Sequence, residues 1–455
     1  MVNYGILSIL PALLVIIFAL LTKRTLEALL IGTLTTYIIM YGWRFGVHWA
    51  EAFFSAAGNP DNQWVLIVCG LFGSLIALLR KSKGTLGFSG RLEKYCSTQK
   101  KTLFTTWVLG ILIFVDEYLN IMTLGACMKN ISDKRKVPRE SLAYIIDSTG
   151  APICVLLPFS TWAIFYSSMF GKQEGISQLG YGSDIATYIR VIPYTFYAWA
   201  AVIIVPLFIV GIIPKLGKMK EAYQRVDRTG DVFSNESIKF NSNMLDEYSE
   251  GEGKLIDFLL PIGVLIGATM ILDDLFLAVI ISLFVCLVLY VPRNKMSFGE
   301  FCDIYINGFC DMVPTIAIVF MAFVMQQAAS DIGLPRYVIE TVTPYLNGAI
   351  FPAVAFIVVA ILTFVTGSNW GIPAVCVPII IPLGFYLGAN PLLVMAAVLS
   401  GGTLGSHACF YSDATVLTSN SCGINNMDHA LSQFPYALIA TGVSLIGYLI
   451  FGFVM

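Results

Sequence analysis

The sequence predicts an all-α polytopic membrane protein made of two inverted repeats of five spans, each with a re-entrant hairpin and a broken helix. Three observations carry that expectation. The 455 residues are 57% hydrophobic and only 12% charged, against about 25% charged in an ordinary soluble domain. Mean hydropathy is +0.78, and long uncharged runs recur through the chain. The basic residues cluster in a few short connections instead of spreading over a surface. A net charge of −2 gives no footprint for a nucleic-acid partner.

Runs of about 20 apolar residues suit a transmembrane helix. They occur at 4–21, 26–43, 64–80, 185–213, 255–272, 275–291, 311–328 and 432–453. The start, MVNYGILSILPALLVIIFALL, has no basic n-region and no small-residue cleavage site, so it reads as a retained first helix. Two longer runs, 141–170 and 391–418, are interrupted by polar, Gly or Pro residues. Most of the ten cysteines lie inside apolar runs without CxxC spacing. They read as small hydrophobes, with neither disulfides nor zinc expected.

Twenty-three of the 27 Lys and Arg residues fall at 22–25, 80–101, 129–139, 214–254 and 292–300. This settles how 102–115 is read. Its 14 residues reach about 21 Å at 1.5 Å per residue, short of a hydrocarbon core of about 30 Å. One helix over 102–128, with its acids midway, is the alternative. Both flanks are basic, however, and basic flanks favour the cytoplasm. A hairpin over 102–128 that enters and leaves on one side satisfies both.

The resulting map has a first repeat at 1–214, with that hairpin and a broken helix at 141–170. A polar linker, expected on the cytoplasmic side, follows at 215–254. A second repeat at 255–455 has a hairpin at 350–387 and a broken helix at 391–418. Five spans before the repeat make the halves inverted and put both termini outside. FVDEY at 114–118 aligns weakly with FVTGS at 364–368, and STGAPIC at 148–154 with TLGSHAC at 403–409. Interruptions at matching places in two halves point to a transporter's binding site.

Four stretches break the apolar runs: DEYLN (116–120), DSTGAP (147–152), TGSNWG (366–371) and GSHACFYSDAT (405–415). None contains Lys or Arg. A charge at the bilayer centre costs about 2.5–3.5 kcal/mol on insertion scales. Asp116, Glu117, Asp147 and Asp413 therefore need protons or a bound cation. Hard oxygen donors suit such a cation. The candidate site takes Asp116, Glu117, Asn120, Asp147, Ser148 and Thr149 from one half. From the other it takes Thr366, Gly367, Ser368, Asn369, Trp370, His407, Ser412, Asp413 and Thr415. Sodium is expected at Asp116, Asp147 and Asp413. Gly150, Pro152, Gly367, Gly371 and Gly405 are expected to free backbone carbonyls.

Blander roles stand beside these. Asp116, Glu117 or Asp147 can serve as helix N-caps. His407 is either a proton relay or a satisfied core histidine. Trp162, Trp370, Phe410 and Tyr411 read first as packing and second as substrate walls.

DEYLN, DKRKVPRESLAYIIDSTGAPICVLLPFSTW (133–162), TGSNWG, SDATVLTS (412–419) and DHALSQFPYAL (428–438) resemble the NhaC family of sodium/proton antiporters. The resemblance covers about 100–440, in order. It implies a secondary carrier with a scaffold, a moving transport domain with two hairpins, and often a dimeric, elevator-like arrangement. Relatives exchange Na⁺ for H⁺, and some carry organic acids or amino acids. Two departures stand out. The family pattern G-D-x-x-S-P before S-D-T-T is here GSHACF before SDAT, and T-G-T-S-W is here TGSNW.

The expectation is a Na⁺-coupled secondary transporter in the cell membrane, most simply a Na⁺/H⁺ antiporter and not an enzyme. Na⁺ and H⁺ are its coupling ions, no cofactor is expected, and a homodimer is the expected assembly. The alternative is a Na⁺- or H⁺-coupled carrier of a small organic acid or amino acid. GxGD and HExxH are absent, which argues against an intramembrane protease. A channel is separated from a carrier by exchange against a gradient.

Overall fold

The computed structural model describes residues 4–22, 24–84, 87, 93–114, 116–158, 160–171, 173, 175–176, 179–240, 253–272, 274–342, 347–367, 369 and 371–455. The described residues contain 22 α-helices and no strand. Helices are the expected solution for an apolar chain in lipid, because each helix satisfies its own backbone groups.

The first half runs α1 (Leu10–Thr22), α2 (Thr25–Tyr41), α3 (Phe45–Gly58) and α4 (Pro60–Lys81). It continues through α5 (Gln99–Leu112), α6 (Glu117–Lys134), α7 (Arg139–Thr149), α8 (Ala151–Leu156), α9 (Thr161–Gly171), α10 (Asp184–Val191) and α11 (Phe196–Val210). A polar helix, α12 (Gly217–Thr229), joins the halves. The second half begins α13 (Ile256–Leu272), α14 (Leu275–Tyr290), α15 (Phe298–Asp311), α16 (Val313–Asp331) and α17 (Leu334–Val342). It ends α18 (Phe351–Thr366), α19 (Gly371–Tyr386), α20 (Pro391–Ala408), α21 (Asp413–Cys422) and α22 (Asn426–Val454).

Four stretches are long and apolar enough to cross a membrane: 26–58, 62–81, 391–422 and 426–454. Three bent pairs raise the count to as many as seven among the described residues. The expected spans near 4–21, 255–272 and 275–291 coincide with shorter apolar helices. The chain is a multi-pass membrane protein.

The helices pack in two groups. In one, α1–α4 lie against α13–α16. Its contacts are reciprocal between the halves: α4 packs on α15, and α3 packs on α16. In the other group, α5–α11 interleave with α18–α22, with α6 against α21 and α11 against α20 and α22. The groups meet where α16 lies on α18 and α21, and α4 on α6.

Within each group the helices approach at glycines. A Cβ on Gly73 would stand 2.3 Å from the Gly308 carbonyl oxygen, and one on Gly308 would stand 2.6 Å from that of Gly73. Small residues at such crossings are how membrane helices gain van der Waals contact when lipid is as apolar as the protein.

Both hairpin stretches turn back on themselves. Past the break at 113–116, α6 returns along α5, and the Gln99 side chain donates to the Lys136 carbonyl at 2.7 Å. The two ends of the 102–128 stretch therefore meet, with Arg135 also donating to the Cys96 carbonyl at 2.6 Å. In the second half, a Cβ on Gly348 would stand 2.5 Å from the Leu387 carbonyl oxygen, so α18 begins where α19 ends.

Part of the expected linker is helical. Residues 217–229 form a helix that buries Met219, Ala222, Tyr223 and Val226. That 3.6-residue spacing makes an apolar stripe inside a polar sequence. Arg225 forms a two-bond pair with Glu140 at 2.8 and 2.9 Å. Tyr223 shares a hydrogen bond with Ser141 at 3.0 Å. Burial pushes its phenol up to about 12, so it remains a neutral hydroxyl. Residues 241–252 of the linker lie outside the described residues.

Replacing Gly73 by Val should force α4 and α15 apart and destabilise the protein by about 1–3 kcal/mol, the usual overpacking cost. Gly263→Ala, inside α13 where a Cβ meets nothing within 4 Å, should not destabilise and should gain up to about 1 kcal/mol of helix propensity. Thermal unfolding of the two purified variants in detergent checks the pair.

Candidate functional site

The site is assembled where helices stop. α6 starts at Glu117 because Asp116 caps it, with extended backbone and a carboxylate that accepts from the amides of Tyr118 and Leu119 at 2.8 and 3.1 Å. Its other oxygen accepts from the Thr161 hydroxyl at 3.0 Å. Of the two adjacent acids, Asp116 is the cap, and its oxygens are engaged there.

Glu117 points elsewhere. Its oxygens accept from the Trp162 indole at 3.1 Å and from Ser406 of the second half at 3.2 Å. Ser406 in turn accepts from the Asn369 amide at 3.1 Å, and Asn369 also hydrogen-bonds Asp413. Asp413 opens α21 and accepts from Tyr118 at 2.5 Å and from the Ala414 amide at 2.8 Å. A closed polar circuit thus joins the two halves through Glu117, Ser406, Asn369, Asp413 and Tyr118. Neutral donors meet each acid in it.

A second cluster centres on Asp147, near the end of α7. One carboxylate oxygen accepts from His429 at 3.0 Å and from Gln433 at 2.7 Å, both on α22. The other oxygen, Oδ1, is buried without a hydrogen-bond partner among the described residues. Beside it, Ser148 bonds Nε2 of His407 at 2.9 Å, and Tyr197 bonds Nδ1 at 2.8 Å. His407 is therefore a buried histidine with both ring nitrogens satisfied.

The four acids are 1–2% exposed. None is paired with Lys or Arg among the described residues. Glu117 lies within electrostatic range of Asp116, Asp147 and Asp413. The described residues hold no group of three His, Cys, Asp or Glu placed to grip a metal together. A cation here would rest on one or two carboxylates and neutral oxygens.

The remaining sequence candidates scatter into structural roles. Asn120 donates to the carbonyls of Gly110, Ile113 and Thr149 at 2.7, 2.8 and 3.1 Å, which ties the turn after α5 to the break after α7. The Thr149 and Thr366 hydroxyls bond back to their own helices. Ser412 caps α21 and bonds Thr415 at 2.9 Å and the Ser406 carbonyl at 2.6 Å. Gly367 takes a left-handed conformation (φ 69°) that ends α18, and the Tyr411 ring lies where its side chain would be. Ser368 and Trp370 lie outside the described residues.

Gly150 breaks the helix as expected, with φ −76° and ψ −105°. Gly405 does not. It sits inside the continuous α20, where a side chain would run into Thr363. Phe410 packs on Phe364 and Phe434. Tyr118, Ser406, His429 and Gln433 were missed as site residues. A signal for the last two existed: at a spacing of four they share one helix face.

The sequence matches the Na⁺/H⁺ antiporter family over residues 170–453, more than half of the chain. The chain belongs to the Na⁺/H⁺ antiporter family. Among individual relatives, an uncharacterised protein of Haemophilus influenzae is 26% identical over 98% of this chain and 91% of its own. Two shorter matches carry substrate names. The arginine/ornithine antiporter ArcD of Halobacterium salinarum is 24% identical over 34% of this chain and 32% of its own. The malate-2H⁺/Na⁺-lactate antiporter of Bacillus subtilis is 23% identical over 44% of this chain and 43% of its own. The chain thus matches less than half the length of either named antiporter. The solved structure of Neisseria gonorrhoeae MtrF, one of a class of antimetabolite efflux pumps, aligns with 98% of this antiporter-family chain at 12% identity. Its TM-score of 0.36 is too low to extend the likeness.

Asp116→Ala should cost about 0.5–2 kcal/mol by removing the α6 cap. Asp116→Asn, which still accepts at that position, should lose only a few tenths. Thermal unfolding of both variants separates a capping role from a role that needs the charge.

Proposed function

We propose that this antiporter-family protein is a Na⁺-coupled secondary transporter, most simply one that exchanges Na⁺ for H⁺. The observation that carries the reading is Asp147, a buried carboxylate that meets His429 and Gln433 through one oxygen, while the other has no hydrogen bond among the described residues. Protonation and cation binding at one carboxylate exclude each other. A buried acid that must carry one or the other therefore couples the two ions without further machinery. Glu117 and Asp413 lie in the neighbouring circuit and would share the ion's path with Asn369 and Ser406. Trp162, Tyr118 and Thr161 would hold the acids in place.

The two packing groups fit a carrier in which the α5–α11 and α18–α22 group moves against α1–α4 and α13–α16. The described polar contact across that boundary is slight, with Asn420 meeting the Met312 sulfur at 3.7 Å. Methionine is an adaptable packing partner.

A second reading is favoured by the substrate names of the two shorter matches. On it, the same scaffold carries a small organic acid or amino acid with Na⁺ or H⁺. Buried Ser, Asn and His groups beside the carboxylates would supply the donors for such a solute.

In proteoliposomes, Asp147→Asn should abolish Na⁺-driven proton movement, while the wild type exchanges the two ions against a gradient. Normal coupling in Asp147→Asn would remove Asp147 from the mechanism. A thermal-shift screen of amino acids and carboxylic acids, with and without Na⁺, separates the two readings. Stabilisation by Na⁺ alone supports simple exchange. A solute that stabilises only when Na⁺ is present selects the second reading.

A further inference from the structure

Three polar atoms at one place lack partners. Asp147 Oδ1, Gln433 Oε1 and His429 Nδ1 are all buried with no hydrogen bond among the described residues. Their side chains are at most 1% exposed and are bonded to one another through their remaining polar atoms. Buried polar groups are nearly always satisfied, and an orphan at such a site points to a missing ion or water. Leaving one unmet costs about 1–3 kcal/mol.

The Gln433 amide is oriented by its nitrogen. That nitrogen donates to Asp147 Oδ2 and also to the His407 carbonyl. The oxygen end of the amide is thereby the free end, an acceptor beside a carboxylate whose own Oδ1 is also free. Two acceptors without a donor are the arrangement that a hard cation completes.

We propose that Gln433 is a neutral oxygen ligand for the transported cation, paired with Asp147, and that His429 is a positioning residue. His429 donates to Oδ2 of Asp147 and so leaves Oδ1 to the ion. This moves part of the ion site from the hairpin tips to the contact between α7 and α22. The inference rests on the proposed Na⁺ coupling.

The test uses the full chain, purified in detergent and titrated with NaCl against choline chloride at constant ionic strength, with thermal stability as the readout. The wild type should be stabilised by Na⁺. Gln433→Met keeps the volume but lacks the oxygen, and should raise the Na⁺ half-saturation at least about tenfold, the loss of about 1.4 kcal/mol. Gln433→Glu places two carboxylates around one cation and should lower it. His429→Gln retains a side-chain donor and should stay near wild type, while His429→Leu should weaken Na⁺ binding.

No stabilisation of the wild type by Na⁺ would overturn the Na⁺ reading itself. If the wild type responds and Asp147→Asn does not, an unchanged half-saturation in Gln433→Met overturns the ligand role alone. Should Gln433→Met fail to purify as a single species, Gln433→Glu decides. A lower half-saturation supports the pairing; an equal or higher one overturns it. Equal weakening by His429→Gln and His429→Leu overturns the positioning role.

Discussion

The constraint on which the rest of the structure depends is the burial of carboxylates that have no Lys or Arg partner among the described residues. Asp116, Glu117, Asp147 and Asp413 are all but inaccessible. In a low-dielectric interior each must be met by neutral donors, a proton or a cation. Uninterrupted helices supply few such donors, because their amides are already bonded. The chain solves this by stopping its helices. Asp116 takes the free amides at the start of α6, and Asp413 takes one at the start of α21. What the amides leave over is met by Tyr118, Thr161, Trp162 and Ser406. Asp147 lies within a helix and has no free amide, so its donors come from α22.

Charge distribution made the hairpin legible. The basic residues on either side of 102–128, with a run too short to span, required the chain to turn back. The structure brings Gln99 and Lys136 together at the two ends of that stretch. The acids were legible for a similar reason: a carboxylate is conspicuous in an apolar run. Which of them caps a helix was not, since DE offers two adjacent acids and the choice depends on where the backbone turns extended. The structure gives the cap to Asp116.

Other features were hidden by the same hydropathy pattern. The last span was read from 432, where the continuous apolar run begins, yet α22 starts at Asn426. That first turn and a half carries Asp428 and His429, and Gln433 sits just beyond. The spacing of four places His429 and Gln433 on one face of that helix. The α12 helix was obscured by its composition. Its stripe of Met219, Ala222, Tyr223 and Val226 is short, and the surrounding Lys, Glu and Arg made it read as linker. Gly405 misled in the opposite direction. A glycine in a polar stretch suggested a break, while its actual service is to let α18 approach α20 at Thr363.

Two scales of fit coexist in the molecule. Inside each packing group, backbones touch at glycines such as Gly73 and Gly308, where no side chain could be added without displacement. Such close packing leaves the helices little room to shift against one another. The polar circuit through Glu117, Ser406, Asn369 and Asp413 lies wholly within one group, so its short hydrogen bonds inherit that rigidity. The α12 helix extends the same body, since Arg225 and Tyr223 fasten it to α7. A carrier needs its ion ligands fixed relative to one another and free relative to the rest of the protein. Around the carboxylates the packing is close, and among the described residues a polar contact across the boundary to α16 is that of Asn420 with the Met312 sulfur.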